Sequence, residues 1–66
     1  MKNRIRAERA ELRMTQQALA EATGVSRQTI NAIETGRFVL STILALKIAQ
    51  VFQKSVEQIF QLEPGD

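Results

Sequence analysis

Apolar residues recur along this chain at three- and four-residue intervals, and most of these runs begin or end at a residue suited to starting or stopping a helix. A first helix is predicted from about Asn3 to Arg13, with Ile5, Arg9 and Leu12 along one stripe. Thr15 suits the cap of a second helix, because its side-chain oxygen can accept a first-turn N–H; Met14 and Leu19 flank it as a hydrophobic staple. The same grammar recurs at Val25, Ser26 and Ile30, again at Leu40, Ser41 and Ala45, and in weaker form at Lys54, Ser55 and Ile59. Gln58 adds a capping box to Ser55. Gly24 and Gly36 fall just past the second and third helices, where a left-handed residue closes a helix cheaply. No segment alternates as a strand does, so the expected fold is all-α: one compact five-helix domain over residues 1–62 and a C-terminal tail over 63–66.

Between Gln16 and Thr35 the requirements for crossing two short helices at a steep angle occur together. Ala20 is small enough for close approach, Gly24 supplies the turn, and Leu19, Val25, Ile30 and Ile33 can point inward. Arg27, Gln28, Asn31 and Ala32 are then left on the outer face of the third helix. An Arg followed by a Gln at the start of an exposed helix suits reading of bases in the major groove, since Arg can bond guanine and Gln adenine through two hydrogen bonds each. On an arbitrary helix the same pair is an ordinary solvated face, and it is the surrounding turn that favours base reading.

Composition narrows the field. With 44% hydrophobic and 24% charged residues the chain has the make-up of a soluble globular domain, and none of its apolar runs approaches the roughly 18 residues that span a bilayer. Its first residues lack the apolar core of a signal peptide, so a cytoplasmic location is expected, with no membrane partner. There is no Cys and no His, which removes disulfides and zinc–thiolate sites as staples. Hydrophobic packing must carry a fold of 66 residues, which either packs economically or pairs with a second copy. Without His, Cys, Tyr, a phosphate-binding glycine loop or a pair of acids set in a pocket, no enzyme, cofactor, metal or small-molecule ligand is expected. The net charge of +2 is divided unevenly: residues 1–37 carry +3, mostly as Arg, and residues 38–66 carry −1. Charge alone leaves a solvated face and a nucleic-acid surface equally open.

The stretch Met14-Thr-Gln-Gln-Ala-Leu-Ala-Glu-Ala-Thr-Gly-Val-Ser-Arg-Gln-Thr-Ile-Asn-Ala-Ile-Glu-Thr-Gly-Arg37 resembles the Cro/C1-type (Xre-like) helix-turn-helix family. Two further segments, Leu44-Ala-Leu-Lys-Ile-Ala49 and Ser55-Val-Glu-Gln-Ile-Phe60, extend the likeness over nearly the whole chain. The resemblance implies a lambda-repressor-like DNA-binding fold with its helix-turn-helix at about residues 16–35. It further implies that Arg27, Gln28 and Asn31 read bases, with Ala32 beside a thymine methyl. Gln16 and Thr29 match phosphate-bonding positions. Ser26 caps the recognition helix beside the DNA backbone, and Thr35, Gly36 and Arg37 form the loop against the phosphates. Arg9 and Glu34 match a pair that is joined inside the fold.

Two places depart from the family pattern. Relatives often carry Asn-Pro-Ser-Leu-Glu where this chain has Val39-Leu-Ser-Thr-Ile43, and Gly-Val-Ser where it has Gln53-Lys-Ser55. A left-handed residue is expected at 53, so Gln there costs about 1 kcal/mol. Lys54 replaces an apolar staple, with a stem that can still cover surface. On the fourth helix Leu44, Ala45, Ile48, Ala49 and Phe52 make one face, and Ile43 and Leu46 fall outside it. Two readings of that excess are open: the fifth helix and the tail cover it, or it belongs to a homodimer seam with Val39 and Leu40, joined by Ile59 or Leu62. The leading function is a sequence-specific transcriptional regulator, a repressor that binds double-stranded DNA at a palindromic operator as a homodimer. An antitoxin or restriction-control regulator is a variant of that reading, and a protein-interaction module that has kept the fold is a second class.

Overall fold

A computed structural model describes residues 1–37 and 39–66. The elements in chain order are β1 (Lys2–Asn3), α1 (Ile5–Glu11), α2 (Gln16–Thr23), α3 (Arg27–Glu34), α4 (Thr42–Phe52), α5 (Val56–Ile59) and β2 (Phe60–Gln61). The five expected helices are present. Thr15, Ser26, Ser41 and Ser55 sit in extended backbone just ahead of α2 to α5, and their side chains accept the N–H of Ala18, Thr29, Leu44 and Gln58. Each thereby satisfies a donor that the helix start leaves without a partner. Ser55 and Gln58 complete the capping box.

Left-handed residues close α2, α3 and α4: Gly24 and Gly36, as expected of these glycines, at φ +77° and Gln53 at φ +54°. Arg13, at φ +52°, does the same after α1, and nothing in its identity announces it. The N–H of Met14 then reaches back to the carbonyl of Arg9 at 2.9 Å, the bond that closes such a terminus. This left-handed turn is why α1 stops at Glu11 rather than continuing to Arg13.

The start of α1 also differs from expectation. It begins at Ile5, because Lys2 and Asn3 pair antiparallel with Gln61 and Phe60. Two residues are too few to show an alternating pattern, so the strand pair is invisible in the sequence. Asn3 ties this pairing to two helices. Its side-chain oxygen accepts the N–H of Ile5 at 3.2 Å, and its amide nitrogen donates to the carbonyl of Ile33 at the end of α3, at 2.9 Å.

All five helices bury apolar residues in one core: Ile5, Leu19, Ala20, Ile30, Ile33, Ile48, Phe52 and Ile59 meet there, with Phe60 of β2 beside them. Glu8 is buried too, at 3% exposure, and its carboxylate is held by Lys54 Nζ at 2.7 and 2.9 Å. Lys54 thus joins α1 to the corner between α4 and α5, a purpose its place in a lost staple did not suggest.

Ile59 is fully buried, so it is withdrawn from any surface seam; it is the apolar residue that α5 turns into the core. Leu40 is half-buried against that core. Val39, Ile43, Leu46 and Leu62 stay outside at 92%, 68%, 50% and 81% exposure. Neither α5 nor residues 63–66 cover Ile43 and Leu46. At the other end Asp66 accepts the N–H of Glu63 at 2.7 Å and pairs with the Met1 ammonium at 3.1 Å. Among the described residues no helix is long and apolar enough to cross a membrane.

Candidate nucleic-acid interface

The angle between α2 and α3 is set by their connection. Gly24 turns the chain, and the buried hydroxyl of Thr23 donates to the carbonyl of Leu19 at 2.8 Å, which settles a polar group that would otherwise resist burial. Leu19 and Ala20 on one side and Ile30 and Ile33 on the other are fully or almost fully buried. Val25 packs against the same core from the turn. With that face of α3 committed, Arg27, Gln28 and Asn31 are exposed, while Thr29 and Ala32 are half-buried. Helical spacing puts Arg27, Asn31 and Glu34 on one stripe and Gln28, Ala32 and Thr35 on the next.

An open cleft runs along the first stripe, between α3 and the starts of α1 and α2. Its walls include Arg6, Arg9, Gln16, Gln17, Arg27 and Asn31. Behind it lies a chain of polar contacts. Arg9 Nε and Nη2 donate to the two oxygens of Glu34 at 2.7 and 3.1 Å, and Arg9 Nη1 donates to the carbonyl of Met14 at 2.9 Å. Their side chains are 15% and 6% exposed, so this is an interior, bidentate pair, as the resemblance implied. Gln16 Nε2 extends it, donating to Glu34 Oε1 at 3.3 Å and to Asn31 Oδ1 at 3.2 Å.

These bonds qualify the expected phosphate contacts. Both amide hydrogens of Gln16 have partners inside the protein, so its side chain must release one to reach a phosphate, whereas the backbone N–H groups of Gln16 and Gln17, ahead of the Ala18 N–H that Thr15 caps, need release nothing. Thr35 Oγ1 already donates to the carbonyl of Asn31 at 2.9 Å. Ser26 and Thr29 lie with their hydroxyl oxygens 3.0 Å apart; one donates to the other, and the second hydroxyl hydrogen stays available. Gly36 has open space around its α-carbon, so its glycine identity answers to the left-handed backbone alone. Arg37 is exposed beside it, and its N–H closes α3 by bonding the carbonyl of Ala32 at 2.8 Å.

Arg6 and Gln17 were missed as cleft residues. Arg6 stands three positions before Arg9 on α1, and that spacing was the signal for it; Gln17 carries no such signal, and its amide donates to Glu21 at 3.0 Å.

A helix-turn-helix family model matches residues 5–59. The chain belongs to the Cro/C1-type helix-turn-helix family of transcriptional regulators. Among its relatives are three uncharacterised HTH-type transcriptional regulators. YgzD of Bacillus subtilis is 46% identical over 63 residues, covering 96% of each chain. A protein of Methanocaldococcus jannaschii is 49% identical over 66 residues and the whole of both chains. One of Methanothermobacter thermautotrophicus is 48% identical over 64 residues, 96% of this chain and 93% of its own.

Proposed function

We propose that this helix-turn-helix protein is a sequence-specific, DNA-binding repressor of the cytoplasm that lays α3 in the major groove. The observation that carries the reading is the pairing of a rigidly buried face on α3 with an exposed row of Arg27, Gln28 and Asn31, side chains that offer donors in the geometry base edges require. Ala32, half-buried beside them, suits contact with a thymine methyl. The start of α2 at Gln16, the Ser26–Thr29 hydroxyl pair, and Thr35, Gly36 and Arg37 form the flanks that meet phosphates. Arg6, Arg27 and Arg37 make no ion pair among the described residues, so their charge is available to the DNA.

We propose further that the protein works as a homodimer on a palindromic operator. Each copy carries one recognition helix, the eight-residue α3, and successive exposures of one groove face are about 34 Å apart, so one copy reads one half-site. The exposed Val39, Ile43, Leu46 and Leu62, beside half-buried Leu40, supply an apolar seam. Sedimentation equilibrium should give twice 7.4 kDa at tens of micromolar for the protein alone and two copies per duplex when DNA is added, and one copy under both conditions removes the dimer.

Selecting bound sites from random duplexes tests the DNA reading. Arg27→Ala should then lose about 1–3 kcal/mol on the selected site and relax one base pair, whereas Arg37→Ala should weaken all sequences alike and reduce the salt slope by about one. Equal losses on selected and random DNA for Arg27→Ala refute base reading by that residue.

A further inference from the structure

The cleft beside α3 holds more positive charge than its own walls neutralise. Arg6, Arg9 and Arg27 line it, and its acidic wall residue, Glu34, is taken by Arg9. Arg27 belongs to the exposed row of α3, which leaves Arg6 as an unassigned cation on the facing wall, where α1 and α2 begin. Its place in the chain gives Arg6 no partner: the residues three and four positions away are Lys2, Asn3, Arg9 and Ala10, none of them acidic, whereas Arg4 reaches Glu8 at 3.7 Å. Arg6 is accordingly exposed and without an ion pair among the described residues. Two uncompensated guanidinium groups sharing one cleft repel each other until an anion enters, and each presents a fork of donors that fits phosphate oxygens.

We propose that Arg6 binds a backbone phosphate of the DNA strand that borders the groove entered by α3. The proposal rests on α3 being the base-reading helix. The two walls of the cleft then divide the work: Arg27 and Asn31 face base edges, and Arg6 grips the adjoining strand beside the N–H groups of Gln16 and Gln17. The DNA contact thereby extends to α1, a helix outside the helix-turn-helix itself.

Salt titrations of binding with wild type, Arg6→Gln and Lys47→Gln test this, on a site selected from random duplexes and on random DNA. Lys47 is exposed on α4 and lines a different groove, with Glu21 and Gly24, so its removal changes the net charge equally without touching the cleft. Arg6→Gln should weaken both DNAs alike, by about tenfold, and reduce the salt slope by about one while base preferences stay as they are; Lys47→Gln should leave the slope unchanged. Neutral methylphosphonate linkages, introduced one at a time into the selected site, should cost wild type about tenfold at one position, and Arg6→Gln should lose much less there. The urea midpoint of Arg6→Gln should match that of wild type. An unchanged slope in Arg6→Gln, an equal fall in Lys47→Gln, or the same linkage profile in wild type and Arg6→Gln overturns the proposal. So does a lowered urea midpoint, which makes Arg6 a structural residue. If wild type enriches no sequence, base reading by α3 itself has failed, a result distinct from all of these.

Discussion

Glu8 and Arg9 are neighbours on α1, and each anchors the helix to a distant part of the chain, but they do so at different depths. Arg9 meets Glu34 with both partners largely enclosed, two parallel N–H···O bonds and a third bond to the Met14 carbonyl. Glu8 is as deeply buried as Glu34, yet its partner Lys54 keeps 36% of its side chain in solvent, and Arg4 Nε lies 3.7 Å from the same carboxylate. The planar guanidinium fills a fixed geometry, whereas the ammonium is a point charge at the end of a flexible stem. The first clamp holds α3 to the rest of the domain and can be built only one way. The second holds the α4–α5 corner and has a substitute cation in reach.

Removing Arg9 should therefore do most harm. Arg9→Met keeps much of the stem but leaves the Glu34 carboxylate enclosed without a cation, and a loss of about 3 kcal/mol is expected, at the low end for broken interior pairs because Arg9 retains some exposure. A lowered urea midpoint with an unchanged slope would register it as stability alone.

Lys54→Met should cost less, about 1 kcal/mol, since water reaches the ammonium already and Arg4 can swing toward Glu8. Adding Arg4→Ala should expose the difference: the double variant should lose more than the two single losses together, because the substitute is gone. If Lys54→Met alone costs as much as Arg9→Met, depth and geometry do not rank these clamps.

The two clamps were unequally legible. Arg9 and Glu34 came from the family resemblance, whereas Lys54 stood where relatives carry an apolar staple and looked like a defect; only the fold brings it to Glu8, 46 positions away. Helix starts were legible because a cap depends on residues within one turn of each other, which is why Thr15, Ser26, Ser41 and Ser55 all announced themselves. Left-handed stops were legible where glycine or the family pattern marked them, and not at Arg13. Pairing of Lys2–Asn3 with Phe60–Gln61 depends on contacts between the two ends of the chain and leaves no local pattern. On the candidate interface the exposed row of α3 followed from burial of the opposite face. The inward commitment of Gln16 did not, because it arises where α1, α2 and α3 converge.

A third ion pair extends the comparison to the exposed extreme. The Met1 ammonium bonds Asp66 and lies 3.3 Å from Glu63, and these bonds, the one to Asp66 first, hold it above its ordinary value of 8.0. Asp66 is held below its ordinary 3.8, first by the Glu63 N–H and then by the Met1 ammonium. A raised amine contributes stability that is complete below its ordinary value and lost as pH rises through the raised one. A lowered carboxyl contributes stability that is complete above its ordinary value and lost as pH falls through the lowered one. The clasp should thus be closed between these limits and open outside them, with little effect on overall stability because water and salt reach both groups. NMR signals of residues 1–3 and 60–66 should move in two separate windows, one above pH 8.0 and one below pH 3.8. Acetylating the N-terminus should abolish the upper window, and Asp66→Asn should abolish the lower one while the amine loses part of its shift. Signals around Arg9 and Glu34 should stay still in the upper window; if they move with the termini, the shallow clasp and the deep clamp are coupled through β1, and depth alone does not order the three pairs.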